Sequence, residues 1–120
     1  MKTIFSIEIS GLPPTINHYY RRGYHSVYKT AEAREWQEEI VSLMREQRNS
    51  QNSYTGAVEL EIIYQVQSRR KWDIDNRVKA LQDCLELAGI IENDNQIEIL
   101  KVRREYRRGK DRTLLTVRSI

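Results

Sequence analysis

Arg69-Arg70-Lys71-Trp72-Asp73-Ile74-Asp75-Asn76-Arg77-Val78-Lys79 is the stretch from which the rest of the chain can be organised. If the segment is extended, Asp73 and Asp75 project to the same side, because side chains alternate along a strand. Just after them Val78, Leu81, Leu85 and Ala88 recur at helical spacing, and Gly89 stands where a helix would stop. The expectation is a strand running into Asp73–Asp75 and turning into a helix, with Asp75 or Asn76 as its N-cap. Lys79 then lies one turn from Asp75 on the same helix face. Beyond the stop, Ile90-Ile91-Glu92-Asn93-Asp94-Asn95 brings a further acid. Asp94 returns to Asp73 and Asp75 only if the helix packs back on the strand, as its apolar face requires. Three carboxylates converging in that way make an oxygen-only site of the kind Mg²⁺ or Mn²⁺ prefers.

Composition bounds the possibilities. The 120 residues suit one domain, 1–120, with a modest core. No run of eighteen apolar residues exists, and the N-terminal segment leads into an alternating strand, so the expectation is a soluble cytoplasmic protein with no membrane span. The one cysteine, Cys84, excludes an internal disulfide framework and reads as a helix filler. Net charge is only +3, yet eight of the twenty Lys and Arg residues lie between Lys101 and Ile120, against two acids. That asymmetry suits an anionic partner.

In chain order, Thr3 to Ile9 alternates as a strand with Phe5, Ile7 and Ile9 on one face, and Gly11-Leu12-Pro13-Pro14 ends it. Thr15 to Lys29 has no clean period but mixes Asn17, His18, Tyr19, Tyr20, Arg21, Arg22, Tyr24, His25, Tyr28 and Lys29. Tyrosines among cations can stack on bases and contact phosphates, or simply half-bury against a sheet; both readings are open. Thr30 caps a predicted helix from Ala31 to about Arg48, with Ala33, Trp36, Ile40, Leu43 and Met44 as its core stripe. Its outer face carries Glu32, Glu35, Glu38, Glu39 and Glu46, too acidic to lie on DNA. After the polar Asn49–Ser53 loop, Ala57 to Val66 alternates strongly as a strand. Gln96 to Val102 and Thr113 to Val117 are predicted strands, separated by a turn in which Gly109 supplies a positive φ. The fold class is α+β, a mixed β-sheet with two main helices packed on it.

Other readings of the acidic motif are weighed by spacing. A calcium loop starting at Asp73 would need glycine where Val78 stands and glutamate where Cys84 stands. The chain has neither a G-x-x-x-x-G-K-[ST] nor a G-x-G-x-x-G run, so no nucleotide cofactor is expected. His18 and His25, with no nearby cysteine, give zinc little support. A bland alternative stays open, in which one aspartate caps the helix and the other pairs with Arg70 or Lys71.

The longer string resembles the RusA-type Holliday junction resolvases. Basic residues followed by Asp73-Ile74-Asp75-Asn76-x-x-Lys79, then Leu87-Ala88-Gly89-Ile90-Ile91-x-x-Asp94, are similar to that family's signature, as is Pro13-Pro14-x-x-Asn17-x-Tyr19-Tyr20-Arg21 near the front. Where some relatives carry an acid just before the last aspartate, this chain has Asn93. The resemblance implies a RusA-like fold and an endonuclease, bacterial or phage-encoded, that binds branched four-way DNA as a homodimer. It would cut two strands symmetrically with Mg²⁺ or Mn²⁺, leaving 5′-phosphate and 3′-hydroxyl ends, in recombination and repair. Asp73, Asp75 and Asp94 would be the catalytic metal-holding acids and Lys79 the essential lysine. Candidate DNA contacts are Arg69, Arg70, Lys71, Asn17, Tyr20, Arg21, Arg103, Arg104, Arg107, Arg108 and Lys110; for the C-terminal cations a merely solvated hairpin is the alternative. A noncatalytic junction-binding protein and a small-molecule phosphotransferase using the D-x-D pair are the competing functions.

Overall fold

The strand Val58–Val66 is the axis of the sheet, and its sequence explains why. Val58, Leu60, Ile62, Tyr64 and Val66 alternate along it and are all buried on one face, while Glu59 and Gln65 on the other face are buried too. A strand covered on both sides has to be central. The computed structural model describes the backbone of residues 1–22, 27–48 and 52–120, and the side chains of these apart from 18–22, 27 and 28. The polar segment 49–51 and Gly23, Tyr24, His25 and Ser26 lie outside the described residues.

The elements in order are β1 (Thr3–Ser10), a one-turn helix α1 (Ile16–Tyr19), β2 (Tyr20–Arg22), β3 (Val27–Lys29), α2 (Ala31–Arg48), β4 (Val58–Val66), α3 (Val78–Leu87), β5 (Ile97–Tyr106) and β6 (Arg112–Ser119). Short 3₁₀ turns, Ile74–Arg77 and Asp94–Gln96, flank α3 on either side. The main sheet has the order β1-β6-β4-β5, while β2 and β3 pair separately. β6 runs antiparallel to both β1 and β4, whereas β5 lies parallel to β4. Parallel neighbours need a long crossover, and here it is α3 with its two turns. The sheet is mixed and carries two main helices, the expected α+β architecture.

Phe5, Ile7 and Ile9 of β1 meet Leu115 and Val117 of β6, the inner face of β4, Ile40, Val41 and Met44 of α2, and Val78, Leu81, Cys84 and Leu85 of α3 in one apolar core. Cys84 is fully buried there, and burial pushes its thiol up to about 12, with Asp83 adding to the effect. It fills space and is not a reactive thiol.

Two local expectations need correction. Thr30 does cap α2, its Oγ1 accepting the Ala33 N–H at 3.1 Å, but the inward stripe is Ala33, Gln37, Ile40, Val41 and Met44. Leu43 faces outward and is 39% exposed. The helix is rolled toward Gln37, which accepts a hydrogen bond from Lys29 Nζ, and a glutamine placed inward leaves no mark in an apolar pattern. Second, β4 ends at Val66, so Asp73 and Asp75 do not lie on a strand: residues 67–73 are irregular and Asp75 sits inside the 3₁₀ turn.

The outer face of the sheet carries an ion ladder. Glu59, 2% exposed, lies between Lys101 Nζ at 3.0 Å and Arg118 Nη1 at 2.8 Å, and Arg118 also reaches Glu61. Arg103 joins Glu61 to Glu105. The hydrogen bond from Lys101, then that from Arg118, holds the Glu59 carboxyl below its ordinary value of 4.5; Gln65 and Arg103 do the same for Glu105. A carboxyl whose value is depressed on folding contributes stability above its unfolded value and loses it as pH falls through the folded one. Urea midpoints should therefore be flat above about pH 5 and drop as acid is added below the ordinary glutamate range. Glu59→Gln should make that acid limb shallower, a result read directly from unfolding curves at successive pH values.

Candidate active site

The site is built where the chain leaves β4 and enters α3. Asp73 occupies the N-cap position of the first 3₁₀ turn with extended backbone, yet its side chain makes no capping bond. The turn closes through the Asn76 N–H donating to the Asp73 carbonyl at 3.1 Å. Asp73 and Asp75 are both exposed. Neither has an ion pair among the described residues, so the bland alternative of a cap plus a salt-bridge partner is not the arrangement found.

One turn along, Lys79 Nζ stands 2.9 Å from Asp83 Oδ1 and 3.9 Å from Asp94 Oδ2. Asp94, on the turn that follows α3, thus lies beside Lys79 in the first turn of that helix. The turn carrying Asp94 is firmly held. The Asp94 N–H donates to Glu86 Oε1 at 2.6 Å, and Asn93 and Gln96 form a reciprocal capping box. Gln96 Nε2 in turn donates to the carbonyls of Tyr54 and Gly56. Asn93, the residue standing in for an acid, is therefore part of the cap.

Among the described residues no three His, Cys, Asp or Glu side chains already form a metal-sized group. What the turn and helix present is a pair of carboxylates without a side-chain partner among the described residues, a lysine, and a third carboxylate beside that lysine. The donor chemistry fits a hard divalent cation: oxygen only, acidic, and solvent-accessible.

The basic residues sort into two groups. The Arg107 N–H donates to the Val66 carbonyl, so the end of β5 lies against the end of β4, and the Arg69 guanidinium stacks on the Tyr106 ring at 4.3 Å. Gln67, Arg69, Tyr106, Arg107 and Arg108 line one shallow depression. That depression brings Arg69 together with Arg107 and Arg108, some forty residues away in sequence; Arg70, Lys71 and Lys110 are also exposed, and Lys110 lines a separate depression with Glu8, Asp111 and Arg112. Arg103 and Arg104 are different: Arg103 belongs to the ion ladder, and Arg104 Nη1 donates to the Trp72 carbonyl at 2.9 Å. Asn17 is exposed, whereas the side chains of Tyr20 and Arg21 lie outside the described residues.

Comparison with known proteins decides the family. A family model described as Endodeoxyribonuclease RusA matches residues 11–118. The chain belongs to the RusA endodeoxyribonuclease family. A crossover junction endodeoxyribonuclease RusA of Aquifex aeolicus (strain VF5) is 33% identical over 114 residues, covering 93% of this chain and 89% of the relative. The enzyme of the same name from Enterobacteria phage HK97 is 28% identical over 91 residues, covering 75% and 74%. Membership of the RusA family places the chain among nucleases, in agreement with the resemblance read from its motifs. No helix among the described residues is long and apolar enough to cross a membrane.

Sequence reasoning missed three residues around this candidate site of the RusA-family chain. Asp83 is four residues after Lys79, a spacing that could have flagged it as the lysine's partner. Glu86, one helical turn further along, escaped notice because its backbone partner Asp94 lies beyond the helix. Arg77, an unassigned position between Asn76 and Lys79 in the motif, donates to the Pro13 carbonyl and stacks on Trp72. Asp83→Asn should free Lys79 to reorient and reduce cleavage by roughly tenfold, with DNA affinity nearly unchanged, as measured by single-turnover cleavage against binding.

Proposed function

We propose that this chain is a divalent-metal-dependent endonuclease that resolves four-way DNA junctions, acting in the cytoplasm of a bacterium or phage-infected cell. The observation that carries the reading is the 3.9 Å approach of Lys79 to Asp94, which unites the acid beyond α3 with the lysine one turn from Asp75. Asp73, Asp75 and Asp94 are the residues that would hold Mg²⁺, or Mn²⁺ in its place. When bound, such an ion supplies Lewis-acid polarisation of a phosphoryl oxygen and a nucleophilic water of lowered pKa. Lys79 places a positive charge where negative charge builds on the phosphoryl oxygens. Cleavage of the bond to the 3′ oxygen leaves a 5′-phosphate and a 3′-hydroxyl that a ligase can reseal.

The shared depression of Arg69, Arg107 and Arg108, with Arg70, Lys71 and Lys110 exposed besides, supports phosphate contact, which contributes affinity without sequence information. Replacing Arg107 and Arg108 together by alanine should weaken binding to all branched substrates alike. It should also lower the slope of log affinity against log salt by about 2, measured by fluorescence anisotropy at several salt concentrations. One chain offers one such constellation, so two symmetric cuts call for a homodimer whose twofold axis matches that of the junction.

The test is a synthetic four-way junction incubated with Mg²⁺ beside a linear duplex of the same sequence. Paired, ligatable nicks restricted to the junction are the expected result. Tight junction binding without nicking would instead favour a noncatalytic junction-binding protein, and failure to bind DNA at all would revive the phosphotransferase.

A further inference from the structure

Asp73 and Asp75 have no side-chain bonds among the described residues that would hold them, so their placement has to come from the backbone that carries them. The residue just before them is Trp72, and it is the most heavily engaged side chain of the segment. Arg77 Cζ lies over its ring at 4.6 Å from the centroid and Arg104 Cζ at 4.8 Å, while the Tyr64 ring meets it edge-on at 5.2 Å. Its carbonyl is held by Arg104 Nη1 at 2.9 Å. These partners come from separate parts of the fold: Tyr64 from β4, Arg104 from β5, and Arg77 from the 3₁₀ turn, where it also binds the Pro13 carbonyl after β1. Stacking of a guanidinium on an indole contributes more when partly desolvated, as it is here beside the buried Tyr64.

We propose that Trp72, fastened by Arg77 and Arg104, is the positioning residue of the acidic pair: it pins the irregular segment 67–73 to the sheet and so sets where Asp73 and Asp75 present their oxygens. The inference rests on the reading of these acids as metal ligands. Trp72 touches neither metal nor phosphate in this role; it acts through the backbone of the next residue. A loosened segment would misplace both carboxylates, and displacements of about 1 Å at such a site cost on the order of a hundredfold in rate. Arg104, counted among the candidate DNA contacts by its charge, is on this reading occupied with Trp72.

The test measures Mn²⁺ affinity from the free-ion electron paramagnetic resonance signal, together with junction affinity in Ca²⁺ and single-turnover nicking in Mn²⁺, for wild type, Trp72→Ala, Trp72→Phe and Arg104→Lys. Trp72→Ala should weaken Mn²⁺ binding about tenfold and slow nicking about tenfold to a hundredfold, with junction affinity changed by less than about threefold. Trp72→Phe, which keeps a ring for both guanidiniums, should recover most of the loss. Arg104→Lys, which keeps the charge but not the planar fork, should fall between them. If circular dichroism shows Trp72→Ala unfolded, the ordering of Trp72→Phe and Arg104→Lys decides. Wild-type Mn²⁺ affinity retained by the folded variants overturns the inference, as does a loss of junction binding that matches the loss of nicking, since the ring would then be a DNA contact. A wild-type protein that binds no Mn²⁺ or cuts no junction overturns the nuclease reading itself.

Discussion

Asp75→Asn is expected to slow junction nicking by about a thousandfold while leaving junction affinity within about threefold of wild type. The substitution keeps the size and shape of the side chain inside the 3₁₀ turn, where Asp75 is exposed, so the fold has no reason to respond. It removes one of the few charged oxygens able to hold a divalent cation and leaves a weaker neutral ligand. Binding should survive because the surface around Arg69, Arg107 and Arg108 is independent of Asp75. Lys79→Ala should show the same separation to a smaller degree, because it removes a charge that helps the phosphoryl oxygens and not the ion itself. Anisotropy with a labelled junction in Ca²⁺, beside gel-resolved nicking in Mg²⁺, measures both quantities. Nicking that survives both substitutions would sink the assignment of these residues.

The second large effect concerns stability. Leu81→Ala is expected to cost about 3 kcal/mol, lowering the melting temperature by roughly 10–15 °C. Leu81 is wholly buried in the interface between α3 and the sheet, and its truncation leaves a void that packed neighbours fill only in part. Leu87 is the internal control: it lies at the end of the same helix but is 50% exposed, and Leu87→Ala should change stability by no more than about 0.5 kcal/mol. Because α3 carries Lys79 and Asp83 and its packing returns Asp94 to them, loosening it should also slow nicking at temperatures well below the midpoint. Calorimetry and single-turnover rates on the same preparations check both halves.

Much of the fold was legible because its signals are local. The alternation in β1 and β4, the N-cap at Thr30, the 3.6-residue period of α3 and the left-handed residue Gly109, with φ of 109°, all appeared where the pattern placed them. The return of Asp94 toward the start of α3 was legible only as a condition on the packing of that helix, and the side chain it meets there, Lys79, was not foreseen as its partner. Two further features were not legible. Gln37 faces the core through a bond to Lys29, and Glu59 is buried under Lys101 and Arg118 because β4 is flanked on both edges. Neither polar residue carries any sign, in its own neighbourhood of sequence, of the partner that permits its burial.

By itself the sequence determined the elements, the apolar faces that must come together, and the string from Asp73 through Lys79 to Asp94 that marks the family. Those properties live in spacings of two, three and four residues, which the geometry of strand and helix converts into faces. Only the tertiary structure decided that β5 lies parallel to β4, that Arg69 shares one depression with Arg107 and Arg108, and that Trp72 sits under Arg77 and Arg104. These depend on which distant segment becomes a neighbour, a choice made by burying all the apolar faces at once.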